Sequence, residues 1–103
     1  VSAMQGAHVL YAKEWGSTAH YGDVAADAAL RANLSDWCVR ESWFDTAAAD
    51  CKFMHCLPVR RNVAVADDIL DGPRSIVLQE AYNRLPAQMA VLHRLLSTGV
   101  SQR

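Results

Sequence analysis

Polar side chains that could do chemistry are concentrated just after an apolar run ending at residue 54. His55 and Cys56 come first, Pro58 follows, and the pair Arg60-Arg61 completes the group. Proline has no N–H for a sheet ladder and favours an extended residue before it, so Pro58 is predicted to mark the exit from a strand. Ligands bind at the carboxyl ends of strands in open parallel sheets. The stretch therefore predicts a strand end that faces a ligand.

Cys56 and His55 allow several interpretations. As a nucleophile, Cys56 would need a base, and His55 is a poor one because successive strand residues point to opposite faces. A buried structural cysteine beside a hydrogen-bonded histidine is an open alternative. Zinc is not predicted, because Cys51, His55 and Cys56 lack paired ligand spacing. We expect neither a metal nor a cofactor.

Three arginines suggest the charge of the ligand. Arg60, Arg61 and Arg84 are planar, permanently charged donors suited to carboxylate or phosphate. Together with Lys13 they predict a small anionic substrate, although each arginine taken singly could be a solvated surface residue. The sequence has neither a Walker A loop nor the G-x-G-x-x-G pattern, so a nucleotide is not predicted.

The elements that must position these side chains alternate along the chain. Strands are predicted at residues 8–12, 52–54 and 75–78, and helical segments at 25–31, 40–49 and 67–70. A last helix after residue 80 carries an apolar stripe, formed by Leu85, Met89, Leu92 and Leu96. Such alternation implies parallel strands joined by crossovers. The predicted fold class is α/β: part of a Rossmann-like doubly wound domain with a parallel sheet flanked by helices.

Two details of this prediction concern tryptophans and strand ends. Residues 36–39 are predicted to be extended, and Trp37 and Trp43 are most simply interpreted as core residues. Lys13-Glu14-Trp15 follows the first strand, the His55 segment follows the second, and Glu80 follows the third, with Arg84 one turn later. These groups are expected to share one edge of the sheet.

Composition narrows the class of protein. The 103 residues allow one domain, and 51% hydrophobic with 20% charged residues is typical of a globular protein. The net charge of −1 offers no large basic surface for nucleic acid or an anionic membrane. Three cysteines without paired spacing argue against a disulfide framework, and no membrane-spanning run or signal peptide is recognisable. A cytoplasmic location is predicted.

Two motifs together resemble a known family. His55-Cys56-Leu57-Pro58, followed by Glu80-Ala81-Tyr82-Asn83-Arg84, resembles the H-C-L-P and E-A-x-N-R signatures of the C-terminal domain of ornithine carbamoyltransferases. Ordinary ornithine enzymes have a Ser-Met-Gly segment after the strand that corresponds to residues 8–12 here. This sequence has Tyr11-Ala12-Lys13-Glu14-Trp15 there, and Val59-Arg60-Arg61-Asn62 after the proline, which is similar to the branch acting on N-acylornithine.

The resemblance implies an activity and a set of site residues. The δ-amine of ornithine or N-acylornithine would attack carbamoyl phosphate and release phosphate, in arginine biosynthesis. The implied catalytic residues are His55, Cys56 and Arg84, and the implied substrate-binding residues are Lys13, Trp15, Leu57 and Arg60. A lysine that some acetylornithine enzymes carry is replaced here by Ala64, which favours a succinyl-type or undetermined acyl group.

The resemblance also bears on organisation. Residues 1–103 are expected to be the C-terminal part of the amino-acid-binding domain, in a protein that is a homotrimer. The N-terminal carbamoyl-phosphate domain and its S-x-R-T segment are not in this sequence, so the chain alone is expected to be an incomplete catalyst. Ordinary ornithine carbamoyltransferase activity remains an alternative. So does a non-catalytic small-ligand binding or interaction module of the same fold.

Overall fold

Two short parallel strands form the centre of the fold. The computed structural model describes residues 2–100, although not the side chains of residues 2 and 98–100; Val1 and residues 101–103 lie outside the description. The strands are β1 (Val9–Ala12) and β2 (Lys52–His55), and the α-helices are α1 (Val24–Ala32), α2 (Asp67–Leu70) and α3 (Val77–Val100). Single 3-10 turns occupy Ser2–Met4, Ser35–Trp37 and Glu41–Trp43. The predicted α/β class with parallel strands is confirmed.

The two strands pair from Val9 with Lys52 to Ala12 with His55. The predicted third strand at residues 75–78 is wrong. The Phe53 N–H donates to the Arg74 carbonyl at 2.8 Å and the Ile76 N–H donates to the Phe53 carbonyl at 3.0 Å, which makes one parallel bridge at Ser75. The chain then enters α3 at Val77, whose side chain is buried against the core.

The segment between α1 and β2 also differs from prediction. Residues 40–49 form one 3-10 turn and not a helix, yet Phe44 is buried and Trp43 packs against the core. Residues 36–39 are extended only at their end, where Val39 bridges to Val65. Trp37 is 58% exposed, so its assignment to the core is wrong. An irregular segment can bury one aromatic side chain without continuous helix, which the apolar spacing alone does not distinguish.

The core lies between β2, α2 and the segment before β2. Its largest buried side chain is Phe53, and α1 contributes none of its members. The other buried members are Leu10, Val39, Phe44, Cys51, Val65, Ile69, Leu70 and Val77. A turn at Gly72 follows α2, where a Cβ would lie 2.2 Å from the Asp68 carbonyl oxygen. Only glycine fits at that approach. The turn returns the chain to β2 so that Ser75 can bridge to Phe53.

Helix α3 was predicted, but it begins at Val77, so that Pro86 is its tenth residue and lies inside the helix and not near its start. Its apolar stripe is not buried. Every side chain from residue 81 to residue 97 is exposed, including 64% of Leu85 and 58% of Leu92. The radius of gyration is 18.1 Å, compared with about 13 Å for a compact domain of this length. The helix therefore extends away from the core. Within the described chain, no helix has the length and apolar composition needed to span a membrane.

Candidate functional site

The parallel register brings the predicted site residues to one edge. Because Ala12 pairs with His55, the next residues, Lys13 and Cys56, leave the two strands at the same end. Both side chains are exposed, and Lys13 makes no ion pair within the described residues. Arg84 lies in α3, one turn beyond Glu80, whose carboxylate accepts a hydrogen bond from the His55 N–H at 3.1 Å. The expected shared edge is confirmed for the strand ends.

His55 is fully buried. Its Nδ1 accepts a hydrogen bond from the Leu57 N–H at 3.0 Å, so Nδ1 is the unprotonated nitrogen and the ring proton lies on Nε2. Nε2 is also buried and has no hydrogen-bond partner among residues 2–100. A buried donor without a partner is costly in free energy, and such groups are concentrated at functional sites. Cys56, next in the chain, is instead exposed.

The strand exit differs in one detail from prediction. β2 ends at His55, as expected for a chain leaving the sheet before Pro58. Leu57 is not extended, however, because its φ is 43° and it lies in the left-handed region. The hydrogen bond from its N–H back to the His55 ring accounts for the turn. The side chain of Leu57 packs against the core, and its backbone is thereby held at the edge of the sheet.

The arginines after the proline have partners within the chain. Glu14 Oε2 accepts from the Arg60 N–H at 2.9 Å, and Glu14 Oε1 lies 3.1 Å from Arg60 Nε. Arg61 binds Asp67 at 2.7 Å and Asp71 at 2.6 and 2.8 Å. Arg61 is therefore engaged in holding its loop to α2, contrary to its interpretation as a donor to the substrate. Arg84, by contrast, is exposed and makes no ion pair within residues 2–100.

Trp15 is half-buried at the same edge. Its ring lies 5.6 Å from that of Trp37, with an angle of 57° between the planes. Its Nε1 is buried and has no acceptor in the described part of the chain. Trp15 also lines a cleft of about 640 Å³, shared with Glu14, Tyr21, Asp27 and Arg60. Trp15 therefore combines a buried, unpaired indole N–H with a place in the wall of a cleft large enough for an amino acid.

Sequence reasoning identified Glu80 as a residue at this edge but assigned it no contact. Its Oε1 accepts from the Tyr11 hydroxyl at 2.6 Å, while its Oε2 accepts from the His55 N–H. This hydrogen bond with Glu80 is the main cause that raises the pKa of Tyr11 to about 12. The spacing of 69 residues between Tyr11 and Glu80 gives no local signal of the pairing. Its single sequence clue is the position of Glu80 at the head of E-A-x-N-R.

The described residues show no arrangement suited to a metal. No group of three or more histidine, cysteine or acidic side chains lies close enough among them to hold an ion. The three thiols are all free: Cys38 and Cys51 are buried and Cys56 is exposed. Burial raises the pKa of the Cys38 thiol. Cys56 is therefore the thiol that a solute can reach.

Comparison with known proteins supports the motif-based resemblance. Ornithine carbamoyltransferase of Cupriavidus metallidurans is 42% identical over 96 residues, which cover 93% of this chain and 30% of that protein. N-acetylornithine carbamoyltransferase of Xylella fastidiosa is 38% identical over 96 residues, covering 93% and 28%. The chain thus spans about 30% of the length of these relatives.

Solved structures show the same fold. Ornithine carbamoyltransferase from Pyrococcus furiosus superposes with a TM-score of 0.75 at 37% identity, over 88% of this chain and 28% of that one. Acetylornithine transcarbamylase complexed with acetylcitrulline gives 0.71 at 37% identity, over 88% and 27%. Residues 1–95 match the model of the aspartate/ornithine carbamoyltransferase Asp/Orn binding domain. The chain therefore belongs to the aspartate/ornithine carbamoyltransferase family, through its Asp/Orn binding domain.

Proposed function

We propose that this chain supplies the amino-acid-binding part of an enzyme that transfers the carbamoyl group of carbamoyl phosphate to N-acylornithine. One observation carries the proposal. The parallel pairing of Ala12 with His55 places the exposed Lys13 and Cys56 at one strand edge, and the Glu80 contact brings α3, which carries Arg84, to that edge. These residues belong to the motifs that resemble the family signatures. The reaction is a step of arginine biosynthesis in this proposal.

The chemistry is a direct displacement. The neutral δ-amine attacks the carbamoyl carbon and a C–N bond forms, while the bond from carbon to the phosphate oxygen breaks. The proton that the amine gives up is taken up by the phosphate, which leaves as hydrogen phosphate. Negative charge develops on the carbamoyl oxygen, where fixed donors lower the barrier most. Arg84 has the charge and the exposure to stabilise that oxygen. Cys56 and the Leu57 carbonyl orient the carbamoyl nitrogen and the attacking amine.

His55 is the second donor in this proposal. Its Nε2 carries the ring proton and has no partner among the described residues, so it has an unused hydrogen bond to give to the carbamoyl oxygen. The imidazole is completely buried in this structure. Its role therefore requires the groups that cover Nε2 to move when substrate binds.

Charge at the first strand end favours an acylated substrate. Lys13 is exposed and makes no ion pair within residues 2–100. The free α-ammonium of ornithine would be repelled by Lys13, whereas acylation removes that charge and leaves the α-carboxylate, which Lys13 attracts. Arg60 can share this carboxylate through its Nη2 group, because Glu14 lies 3.1 Å from its Nε and Asp27 lies 4.0 Å from its Nη1. Trp15 Nε1, unpartnered beside the cleft, would donate to the acyl oxygen.

The proposal extends to the complete protein. The motif resemblance supports a homotrimer in the cytoplasm, in which another domain binds most of the phosphate of carbamoyl phosphate. Solved relatives include an acetylornithine transcarbamylase complexed with acetylcitrulline, which supports an acylated product. The 42% identical relative is an ornithine carbamoyltransferase, which supports ornithine as the second candidate substrate.

The test is a comparison of amine substrates in the full-length protein. Carbamoyl phosphate is supplied with ornithine, N-acetylornithine or N-succinylornithine, and the carbamoylated product and phosphate are both measured. We expect kcat/KM to be highest for an acylated substrate. Turnover of ornithine, without turnover of either acylated substrate, would show that the substrate is ornithine and not N-acylornithine. Absence of any transfer, in protein that is folded, would support the non-catalytic module instead.

A further inference from the structure

The Glu80 carboxylate joins three elements that meet at the site. One oxygen accepts from the Tyr11 hydroxyl of β1 at 2.6 Å, and the other accepts from the His55 N–H at the end of β2 at 3.1 Å. Glu80 itself lies in the first turn of α3. Both carboxylate oxygens are therefore committed to the protein, and the residue is half-buried.

The two donors belong to the residues that the site depends on. The His55 N–H immediately precedes Cys56, so its hydrogen bond limits where the chain leaves β2. Tyr11 lies two residues before Lys13 on the neighbouring strand and pairs in register with Met54. Arg84 is four residues after Glu80, on the same face of α3. A shift of the Glu80 carboxylate would therefore change the positions of Lys13, Cys56 and Arg84 relative to one another.

We propose that Glu80 is a positioning residue, which fixes His55, Cys56 and Arg84 relative to one another by bridging the Tyr11 hydroxyl and the His55 backbone N–H. This inference rests on the proposed function for its effect on turnover. Its structural part stands on the two hydrogen bonds alone. A misplacement of about 1 Å in such a constellation can cost on the order of 10²-fold in rate.

Another role would fit the same residue. An acidic side chain in the first turn of a helix also interacts favourably with the positive end of the helix dipole. That interaction depends on charge, whereas the bridge depends on reach and on acceptor oxygens. Glu80→Gln keeps the length, accepts from the His55 N–H and can donate to the Tyr11 oxygen, because a phenol both donates and accepts. Glu80→Asp keeps the charge but is shorter by one methylene.

The two variants separate the roles in the full-length protein. With both substrates saturating and rates expressed per folded enzyme, we expect Glu80→Gln to retain kcat within about tenfold. We expect Glu80→Asp to fall by on the order of 10²-fold. Tyr11→Phe removes one of the two bonds and is expected to lie between them. Gln79→Ala is the matched control, since its side chain makes no hydrogen bond within the described residues.

Two measurements do not depend on activity. Hydrogen exchange of the His55 amide is expected to be faster in Glu80→Asp and close to wild type in Glu80→Gln. The rate at which iodoacetamide alkylates Cys56 is followed on its peptide by mass spectrometry. We expect this rate to differ from wild type in Glu80→Asp and to stay close to wild type in Glu80→Gln. The bridge would be wrong if Glu80→Asp had normal kcat and normal exchange of the His55 amide while Glu80→Gln had a lowered kcat and faster exchange. That result would mean that Glu80 acts through its charge on the helix dipole. A wild type without transferase activity, but with the expected exchange pattern, would reject the function and leave the bridge.

Discussion

The strand edge and the outer part of α3 are both rich in apolar residues, yet those near the edge are buried and those on α3 are exposed. Around the edge, Phe53 and Val65 are fully buried, and Glu80 and Glu14 hold the polar groups in place. From residue 81 to residue 97 of α3, every side chain is exposed. His55 and Cys56 at the end of β2 thus have their support within the described chain, whereas Arg84 lies on the exposed part of α3. An amphipathic pattern, by contrast, predicts a helix without saying where its partner lies.

The largest expected difference between the two regions is in stability. Phe53→Ala removes a side chain that is 0% exposed and should cost about 3–5 kcal/mol. Leu92→Ala removes one that is 58% exposed and should change the free energy of unfolding by about 0.5 kcal/mol or less. Urea unfolding of the 103-residue chain measures both, at a protein concentration low enough to keep the chain monomeric, because self-association would add to the apparent stability. Equal losses would mean that the α3 stripe packs within the chain.

Arg84 lies where the two regions meet, and its removal should affect catalysis alone. Arg84→Ala in the full-length protein should lower turnover by about 10²–10³-fold, the usual effect of losing one donor to a developing oxyanion. The exposed arginine contributes little to folding, so the melting temperature should move by less than about 3 °C. Gln88→Ala, one turn further along, is the control. Normal turnover of Arg84→Ala would exclude it from the site.

The exposed stripe should make the isolated chain associate with itself. Replacing both Leu85 and Leu92 by glutamate should weaken that association by about 10²-fold or more, since burying a leucine contributes about 1.5–3 kcal/mol. Sedimentation equilibrium measures the dissociation constant. A double variant with glutamate at Asn83 and Ala87 adds the same charge on the opposite face of α3. If both double variants weaken association equally, general charge and not the stripe is responsible.

The smallest expected effect concerns the loop that Arg61 holds. Hydrogen bonds from Arg61 lower the pKa of Asp67 and of Asp71. A lowered folded pKa means that these contacts stabilise the fold above the ordinary carboxyl pKa, and that this stability is lost as pH falls through the lowered values. Arg61→Gln should raise both pKa values in an NMR titration. Asn62→Ala should raise the pKa of Asp67 alone, since Asn62 donates to that carboxylate.

Local signals in the sequence predicted most elements and the site edge. Apolar runs and turn residues were enough for β1, β2, α1, α2 and α3, and proline marked the strand exit. The third strand failed because Ser75 makes one bridge before Val77 enters the helix, and apolar content alone does not separate these outcomes. The predicted helix at residues 40–49 was wrong because apolar spacing alone also does not separate a helix from an irregular segment with a single 3-10 turn.

The sequence predicts where the site residues lie along the chain better than it predicts which side chains they contact. Arg60 contacts Glu14 beside the edge, whereas Arg61 pairs with Asp67 and Asp71, and the sequence predicted none of these acidic partners. Glu14 is 46 residues from Arg60, and no local pattern links positions so far apart. The burial of His55 depends on packing by several segments at once. Such contacts are determined by the tertiary fold, so residue type and spacing predict the chemistry available but not which group is free.

The position of Glu80 at the anchored end of a long helix has a geometric consequence. At 1.5 Å per residue, the part of α3 from Glu80 to residue 100 forms a lever arm of about 30 Å. A rotation of about 5° at its first turn would displace the far end by about 3 Å, and a displacement there would rotate the first turn equally. The Glu80 carboxylate is the pivot of this lever. Contacts made far out on the helix are therefore mechanically connected to the ends of β1 and β2.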